Sequence, residues 1–317
     1  MHILKYRFYY FILPAILFCA ALVAIFTLGL KPGVDLQGGT LLEISYPSER
    51  PDVEAADTAL ANLDFGDIRV QPSGEQGFII RLREITVAEK DQIITALSFG
   101  QVVTEERFTS IGPTIGDELR AKGWIAIVLV ALTVLLYIAF VFRNVRTAGE
   151  DGTTNDDGVP SWKYGLVAIL TLLHDITIPA GLFAVLGVIR GAEVDALFIV
   201  AILTILGISI NDTIVVFDRI RENIRRNKEE KRKETFEQVV GRSMDETTAR
   251  SLNTSLTVVL ALVVLYIVGP ELTRNMALTL MVGMIAGTYS SLILASPLLV
   301  VLESWQAKKP VVNSEKK

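Results

Sequence analysis

Six long apolar runs alternate with polar stretches along the chain. They cover roughly Tyr9 to Leu28, Trp124 to Phe142, Tyr164 to Ile189, Ala196 to Phe217, Leu252 to Val268 and Thr273 to Leu302. A span needs roughly 20 predominantly apolar residues to cross about 30 Å of hydrocarbon, and the pattern predicts six membrane spans. The stretch between the first two runs, residues 31–121, reads differently. "TLLEISY" alternates with period two, as a half-buried strand does. "DVEAADTALANLD" carries Val53, Ala56, Leu60 and Leu63 at helical spacing. "DIRVQP" and "GFIIRLR" read as short strands parted by a Ser- and Gly-rich turn. "TVAEKDQIITALSF" opens with Thr86 and has Glu89 three places on, the capping-box spacing, and "QVVTEERFTSIG" closes as a strand. The order β-α-β-β-α-β predicts a ferredoxin-like layer. The expected fold is therefore an α-helical polytopic membrane protein, six transmembrane helices with a small α+β ferredoxin-like domain inserted between the first and second.

Composition agrees with this reading. Of 317 residues, 51% are hydrophobic, and the mean hydropathy is +0.46. Such a chain is neither disordered nor an ordinary soluble domain. Lys5 and Arg7 precede the first run, which is long for a cleaved signal and is followed by no Ala-x-Ala site, so an uncleaved span is expected. The lone cysteine, Cys19, forms no internal disulfide and says nothing about redox compartment.

Charge is segregated along the chain, and short basic loops set orientation. Lys5 and Arg7, then Arg143, Arg146 and Lys163, then the linker of about 219–250, then Lys308, Lys309, Lys316 and Lys317 all fall on one side, expected to be cytoplasmic. Both termini are then cytoplasmic and the 31–121 insertion lies outside. The expected layout is 1–30 for the N-terminus and first span, 31–121 for the external domain, 122–303 for the five-helix bundle and 304–317 for the tail. The linker's mixed charges fall at helical spacing, which suits a cytoplasmic continuation of the fourth span, and its charge is explained by orientation and anionic lipid, without nucleic acid.

Several ionisable groups lie within the apolar runs. Asp212 stands roughly 16 residues, or about 24 Å, into the fourth span, with Ser209 and Asn211 adding polarity. Arg250 precedes the fifth run, and counting back along that span places it at similar depth. An Asp–Arg pair there is geometrically reasonable, and movement of the arginine would let the aspartate take a proton. His174 and Asp175 lie about 15 Å into the third span. Charges at such depth are costly and mark ion pathways, although a single buried aspartate is also compatible with plain hydrogen-bonded packing. Asp218 reads as an interfacial charge, and Glu193 and Asp195 as solvated loop residues. "GVDLQGGT", with Gly33, Asp35, Gly38 and Gly39, reads as a tight connector, and "SIGPTIGDELRAKGW" as its counterpart on the return. Gly283, Gly287, Ser290 and Ser291 suit close helix approach. The external domain shows no metal-ligand spacing, phosphate loop or nucleophile–base pair, and no second ligand set or nucleophile joins His174 and Asp175 to support an intramembrane enzyme, so no enzyme and no cofactor other than protons as coupling ion is expected.

The chain resembles SecF members of the SecD/SecF protein-export family over nearly its whole length. "SINDTIVVFDRIREN", "LLHDITIPAG", "DETTARSLNTSLTVVLAL" and "IGPTIGDELRAKG" carry the resemblance. "GVDLQGG" departs from it, being more similar to SecD, whose insertion is much larger. The resemblance implies a subunit of the resistance-nodulation-division superfamily in the bacterial inner membrane. It implies SecD as the pseudo-symmetric partner, the SecYEG translocon and an unfolded translocating preprotein as further partners, and YajC as an additional candidate. It assigns a proton-coupled role to Asp212, its partner role to Arg250, and a less defined one to His174 and Asp175. The proton motive force would drive late preprotein translocation and release. A scaffold subunit that conducts no protons and half of a small-molecule exporter are the competing readings.

Overall fold

The computed structural model describes residues 7–307 apart from 62, 64, 142–159 and 233. Phe142 and the orientation-setting Lys5, Arg143, Arg146, Lys308, Lys309, Lys316 and Lys317 lie outside the described residues. Two compact units emerge: one comprises Lys31–Ile125 with Glu193–Ala196, and the other holds the remaining helices.

In the first unit, a single-turn helix α2 (Val34–Gln37), reached after helix α1 (Arg7–Leu28), leads into β1 (Gly39–Ser45). Then come α3 (Val53–Ala61), β2 (Arg69–Ser73), β3 (Gly77–Leu82), α4 (Val87–Leu97) and β4 (Thr104–Ile111). The sheet is antiparallel throughout, in the order β2-β3-β1-β4. Central Leu42 faces Ile80 on one side and Phe108 on the other. The period-two pattern buries Leu42, Ile44, Phe78, Ile80 and Leu82, and the 3.6-period pattern turns Ala56, Leu60, Ile93 and Leu97 onto them. This is the β-α-β-β-α-β order expected from the sequence.

The capping box on α4 is complete. The Glu89 amide donates to the Thr86 hydroxyl, and the Thr86 amide donates to Glu89 Oε2 at 2.7 Å. That amide, with the Arg83 guanidinium and the Thr86 hydroxyl, lowers the Glu89 carboxyl from 4.5 to about 2. A lowered folded-state pKa stabilises above the unfolded value, so the contribution is whole above pH 4.5 and fades as the pH falls towards about 2. Glu89→Ala is expected to speed exchange of the Thr86 amide at neutral pH, with the difference shrinking towards pH 3. Hydrogen exchange on the full chain measures it.

The connector is tighter than sequence alone conveys. The Gly33 amide donates to the Val194 carbonyl at 2.8 Å, and Val194 donates back to Lys31 at 2.7 Å. Gly38 has φ +79°, and a Cβ there would meet Pro113 Cα at 2.6 Å. Gly39 has φ +122°, with the Leu82 carbonyl in the way at 2.9 Å. Both therefore require glycine. Asp35 accepts a hydrogen bond from the Ala196 amide at 3.3 Å. Glu193 is not the solvated loop residue the sequence suggested. Arg81 Nε holds it at 2.9 Å, and burial pushes its carboxyl above the usual value.

The second unit is helical. Besides α1 it holds α6 (Ser161–Ile189), α7 (Ala196–Glu229), α8 (Phe236–Val268), α9 (Glu271–Tyr289), a π-helical turn (Ser290–Ala295) and α10 (Ser296–Ala307). Helix α5 (Pro113–Val141) enters it from residue 126. Among the described residues, six helical segments are long and apolar enough to cross a membrane. Helices α6, α7 and the α9–α10 run form the buried centre, whereas the apolar windows of α1 and α5 are 11% and 6% buried. Tyr164, Leu172, Leu206, Phe217, Leu292 and Leu299 lie in the central core. Large exposed apolar faces of this kind suit lipid or partner helices and not water.

Helicity outruns hydropathy at three spans. Helix α5 begins at Pro113, so "TIGDELRAKG" is helix, where the sequence reading made it a connector. Helix α7 runs twelve residues past Phe217, and α8 starts well before Leu252, at a Thr235–Gln238 capping box. Lys163, counted above as a loop charge, is almost fully buried against Glu303 at 2.5 Å.

Candidate functional site

Two carboxylates lie inside the helical unit, and their surroundings differ sharply. Asp175, on α6, is completely buried. His174 Nδ1 stands 2.9 Å from its Oδ1. On its Oδ2, Ser290 Oγ donates at 2.8 Å, and Ser209 Oγ donates as well. The other nitrogen of His174 meets the Tyr289 hydroxyl at 3.0 Å, and its ring lies over Phe18 with centroids 6.0 Å apart. One carboxylate thus ties α6 to α7 and to the π-helical turn, while its histidine neighbour reaches α9.

The π-helical turn positions Ser290. A π turn shifts the hydrogen-bond register by one residue and re-aims the side chains that follow it. Gly287 lies against Ser209, where an added Cβ would come within 3.1 Å of the Ser209 Cβ, and Gly283 lies against Ile205. The small residues of the last span therefore bring it close enough to α7 for Ser209 and Ser290 to share Asp175.

Asp212, on α7, is also buried, yet among the described residues its one hydrogen-bond donor is Ser255 Oγ at 3.5 Å. Ser209 serves Asp175 and not Asp212, and Asn211 is on the exposed side of the helix. The antiparallel register of α7 and α8 follows from three contacts. Asp212 meets Ser255, Arg219 Nε meets Glu246 at 2.6 Å, and Asn223 meets Ser243 at 2.9 Å. Arg250 is five residues from Ser255, so it sits about 7.5 Å along the helix from the level of Asp212. It makes no ion pair within 4.0 Å among the described residues, and its charge reaches Asp212 through space only. The sequence count placed the two at similar depth; the helix register separates them by about 7.5 Å.

Beyond Arg250, towards the polar ends of α7 and α8, Arg219 is held by Glu222 at 2.5 Å and by Glu246, and Arg226 joins Glu222 at 2.6 Å. Asn223 adds a bond to Glu246 at 2.8 Å. A cavity of about 290 Å³ opens here, lined by Asp218, Arg219, Glu222, Glu246, Thr247 and Arg250. Sequence reading missed Tyr289 and the Ser290 contact. Ser290 stood out only as a small residue, and Tyr289 drew no notice because its partner is distant in the chain. The connector residues Gly33, Asp35, Gly38 and Gly39 belong to the other unit and make their contacts there, the glycines through backbone and Asp35 through its carboxylate to the Ala196 amide. No group of three or more metal-ligating side chains occurs among the described residues.

Six apolar helices with buried carboxylates on two of the central ones, joined to a small antiparallel α+β unit, define a polytopic membrane protein with ionisable groups at its centre. A family model described as protein export membrane protein SecD/SecF, C-terminal, matches residues 93–150 and 161–305, and the SecD/SecF GG motif matches residues 23–46. The chain is 38% identical to the protein translocase subunit SecF of Thermobaculum terrenum, over 96% of this chain and 94% of that one. It is 32% identical to the SecDF subunit of Brucella abortus, covering 90% of this chain but 35% of the relative. The crystal structure of SecDF from Thermus, a translocon-associated membrane protein, superposes with a TM-score of 0.79 at 29% identity; the match covers 96% of this chain and 39% of the other. The chain belongs to the SecD/SecF family of protein-export membrane proteins, and it aligns with the SecF members over nearly their full length.

Proposed function

We propose that this chain is the SecF-type half of a SecD/SecF complex in the bacterial inner membrane, working with the Sec translocon. Both termini are cytoplasmic, and the ferredoxin-like layer stands on the outer side. There it acts on the emerging preprotein late in translocation, in concert with SecD and SecYEG. Fused SecDF relatives, in which this chain corresponds to about a third of the polypeptide, support SecD as the partner.

Proton motive force is the energy source in this reading. The observation that carries it is the contrast between the two buried carboxylates. Among the described residues, both oxygens of Asp175 have hydrogen-bond partners, whereas Asp212 has one distant hydroxyl and an arginine a turn away. A carboxylate so sparsely partnered at this depth stays ionised only when a cation approaches, and takes a proton when the cation withdraws. One charge moving through about 100 mV supplies about 2.3 kcal/mol, enough to bias a two-state equilibrium about fiftyfold. Protonation of Asp212 and motion of Arg250 are thus sufficient to toggle helix packing.

His174 and Asp175 form the second element. Their contacts with Tyr289 are met by two proton arrangements. Either His174 Nδ1–H donates to an ionised Asp175 while Tyr289 donates to Nε2, or, with one further proton taken up at the Tyr289 oxygen, the original Tyr289 hydrogen sits on Nε2, the Nδ1 hydrogen has moved to Asp175, and the protonated Asp175 donates to Nδ1 while Nε2–H donates to Tyr289. A chain satisfied both ways passes a proton without moving its heavy atoms. Ser209 and Asp212 are one turn apart on α7, which puts this relay next to the Arg250 switch. Measuring preprotein release from proteoliposomes holding the complex with its translocon tests the proposal. Release is expected to rise with an imposed proton gradient and to fall back when an ionophore collapses it. Gradient-independent release would favour a scaffold role.

A further inference from the structure

Arg250 lies between two sets of carboxylates. Towards the membrane centre is Asp212. On the other side is the 290 Å³ cavity, whose wall includes Asp218, Glu222 and Glu246. Two of those three are already engaged: Glu222 holds Arg219 and Arg226, and Glu246 holds Arg219 and Asn223. Asp218 makes no ion pair within 4.0 Å among the described residues, and neither does Arg250. One uncommitted anion and one uncommitted cation therefore share a single cavity.

The helix register makes the pairing reachable. Asp212 and Asp218 are six residues apart on α7, a rise of about 9 Å. Extending the α7–α8 contacts sets Arg250 opposite residues 215–216, close to midway. A long, flexible arginine side chain turns either way from there with little backbone movement.

Resting on the proton-coupled reading above, we infer that Asp218 is the inward docking carboxylate of Arg250, the alternative to Asp212. When the guanidinium sits on Asp212, Asp218 faces the cavity alone. When it withdraws to Asp218, Asp212 is left to bind a proton. The cavity is the space into which the side chain retracts. The Arg219–Glu222–Glu246 cluster is its fixed wall, since the charges there already satisfy one another. Asp218 is a positioning residue, acting on the proton site through Arg250.

The test reads where the guanidinium rests, independently of export. Val215 lines the same cavity. Val215→Cys on a Cys19→Ser background, in the purified complex with its SecD-type partner, is reacted with a small water-soluble maleimide. Asp212→Asn removes the outward partner, so Arg250 fills the cavity and labelling slows several-fold. Asp218→Asn removes the inward partner, so the cavity empties and labelling quickens several-fold. Both substitutions delete one negative charge, so a mere electrostatic effect on the thiol moves both rates the same way. Opposite shifts support the inference; equal or parallel shifts overturn it. Asp218→Glu is expected to keep the parent rate and parent gradient-driven release, whereas Asp218→Asn loses release at unchanged complex yield. If Asp212→Asn abolishes gradient-driven release while the labelling rates stay level, the inward dock alone fails. If Asp212→Asn leaves release intact, the proton-coupled reading fails with it.

Discussion

Asp212→Asn is expected to reduce gradient-driven preprotein release to the level seen without a gradient, while the complex assembles in normal yield. The asparagine keeps the shape of the side chain and its contact with Ser255, so packing between α7 and α8 is undisturbed. It removes only the charge and the proton site. Because Asp212 has few partners, its loss leaves little buried polar surface unsatisfied, and the thermal midpoint in detergent should stay near that of the parent. Quantifying yield, midpoint and release on one preparation separates this outcome from a scaffold role, in which yield and release would fall together.

Asp175→Ala is expected to do the opposite in stability. It strips the shared acceptor from Ser209, Ser290 and His174 at a completely buried point. Three hydrogen bonds are lost, and three polar groups remain among apolar neighbours. At about 1 kcal/mol per bond the cost is about 3 kcal/mol, which lowers the thermal midpoint of a unit this size by about 6–12 °C. The π-helical turn would lose the contact that aims Ser290, so cysteine pairs across α7 and the last span should cross-link less uniformly. A midpoint within a degree or so of the parent's, with cross-linking unchanged, would mean that Asp175 contributes little to holding the three elements together.

Much of this architecture could be read from residues alone, for physical reasons that vary along the chain. Strands β1 and β3 showed themselves because one face of the sheet is buried, which forces alternation at Leu42, Ile44, Phe78 and Ile80. Helix α4 showed itself through Thr86 and Glu89, whose capping box depends only on neighbours in sequence. The spans showed themselves by hydropathy, but apart from the helical continuation of the fourth, their true ends did not. Helix α8 begins at Phe236 because backbone hydrogen bonding and the Thr235 cap continue through charged residues to which a hydropathy window is blind. The π-helical turn was invisible because it changes hydrogen-bond register without changing composition. Ser209 was assigned to Asp212 by closeness in sequence. A three-residue step turns the helix about 300°, which leaves the two side chains on neighbouring faces with different partners. The depth of Arg250 was off by about three residues for a related reason. Counting from span ends assumes both helices enter at the same level, whereas the Arg219–Glu246 and Asn223–Ser243 contacts set the level directly.

Proton flux is the quantity nearest to the mechanism. With a pH-sensitive dye sealed inside proteoliposomes that hold the complex and an engaged preprotein, an imposed potential should acidify the lumen at a measurable rate for the parent and for Asp218→Glu. Vesicles carrying Asp212→Asn or Arg250→Met should remain at the rate of empty liposomes. Acidification by the Asp212→Asn complex at the parent's rate would contradict the account, because protons would then be crossing without the carboxylate proposed to carry them.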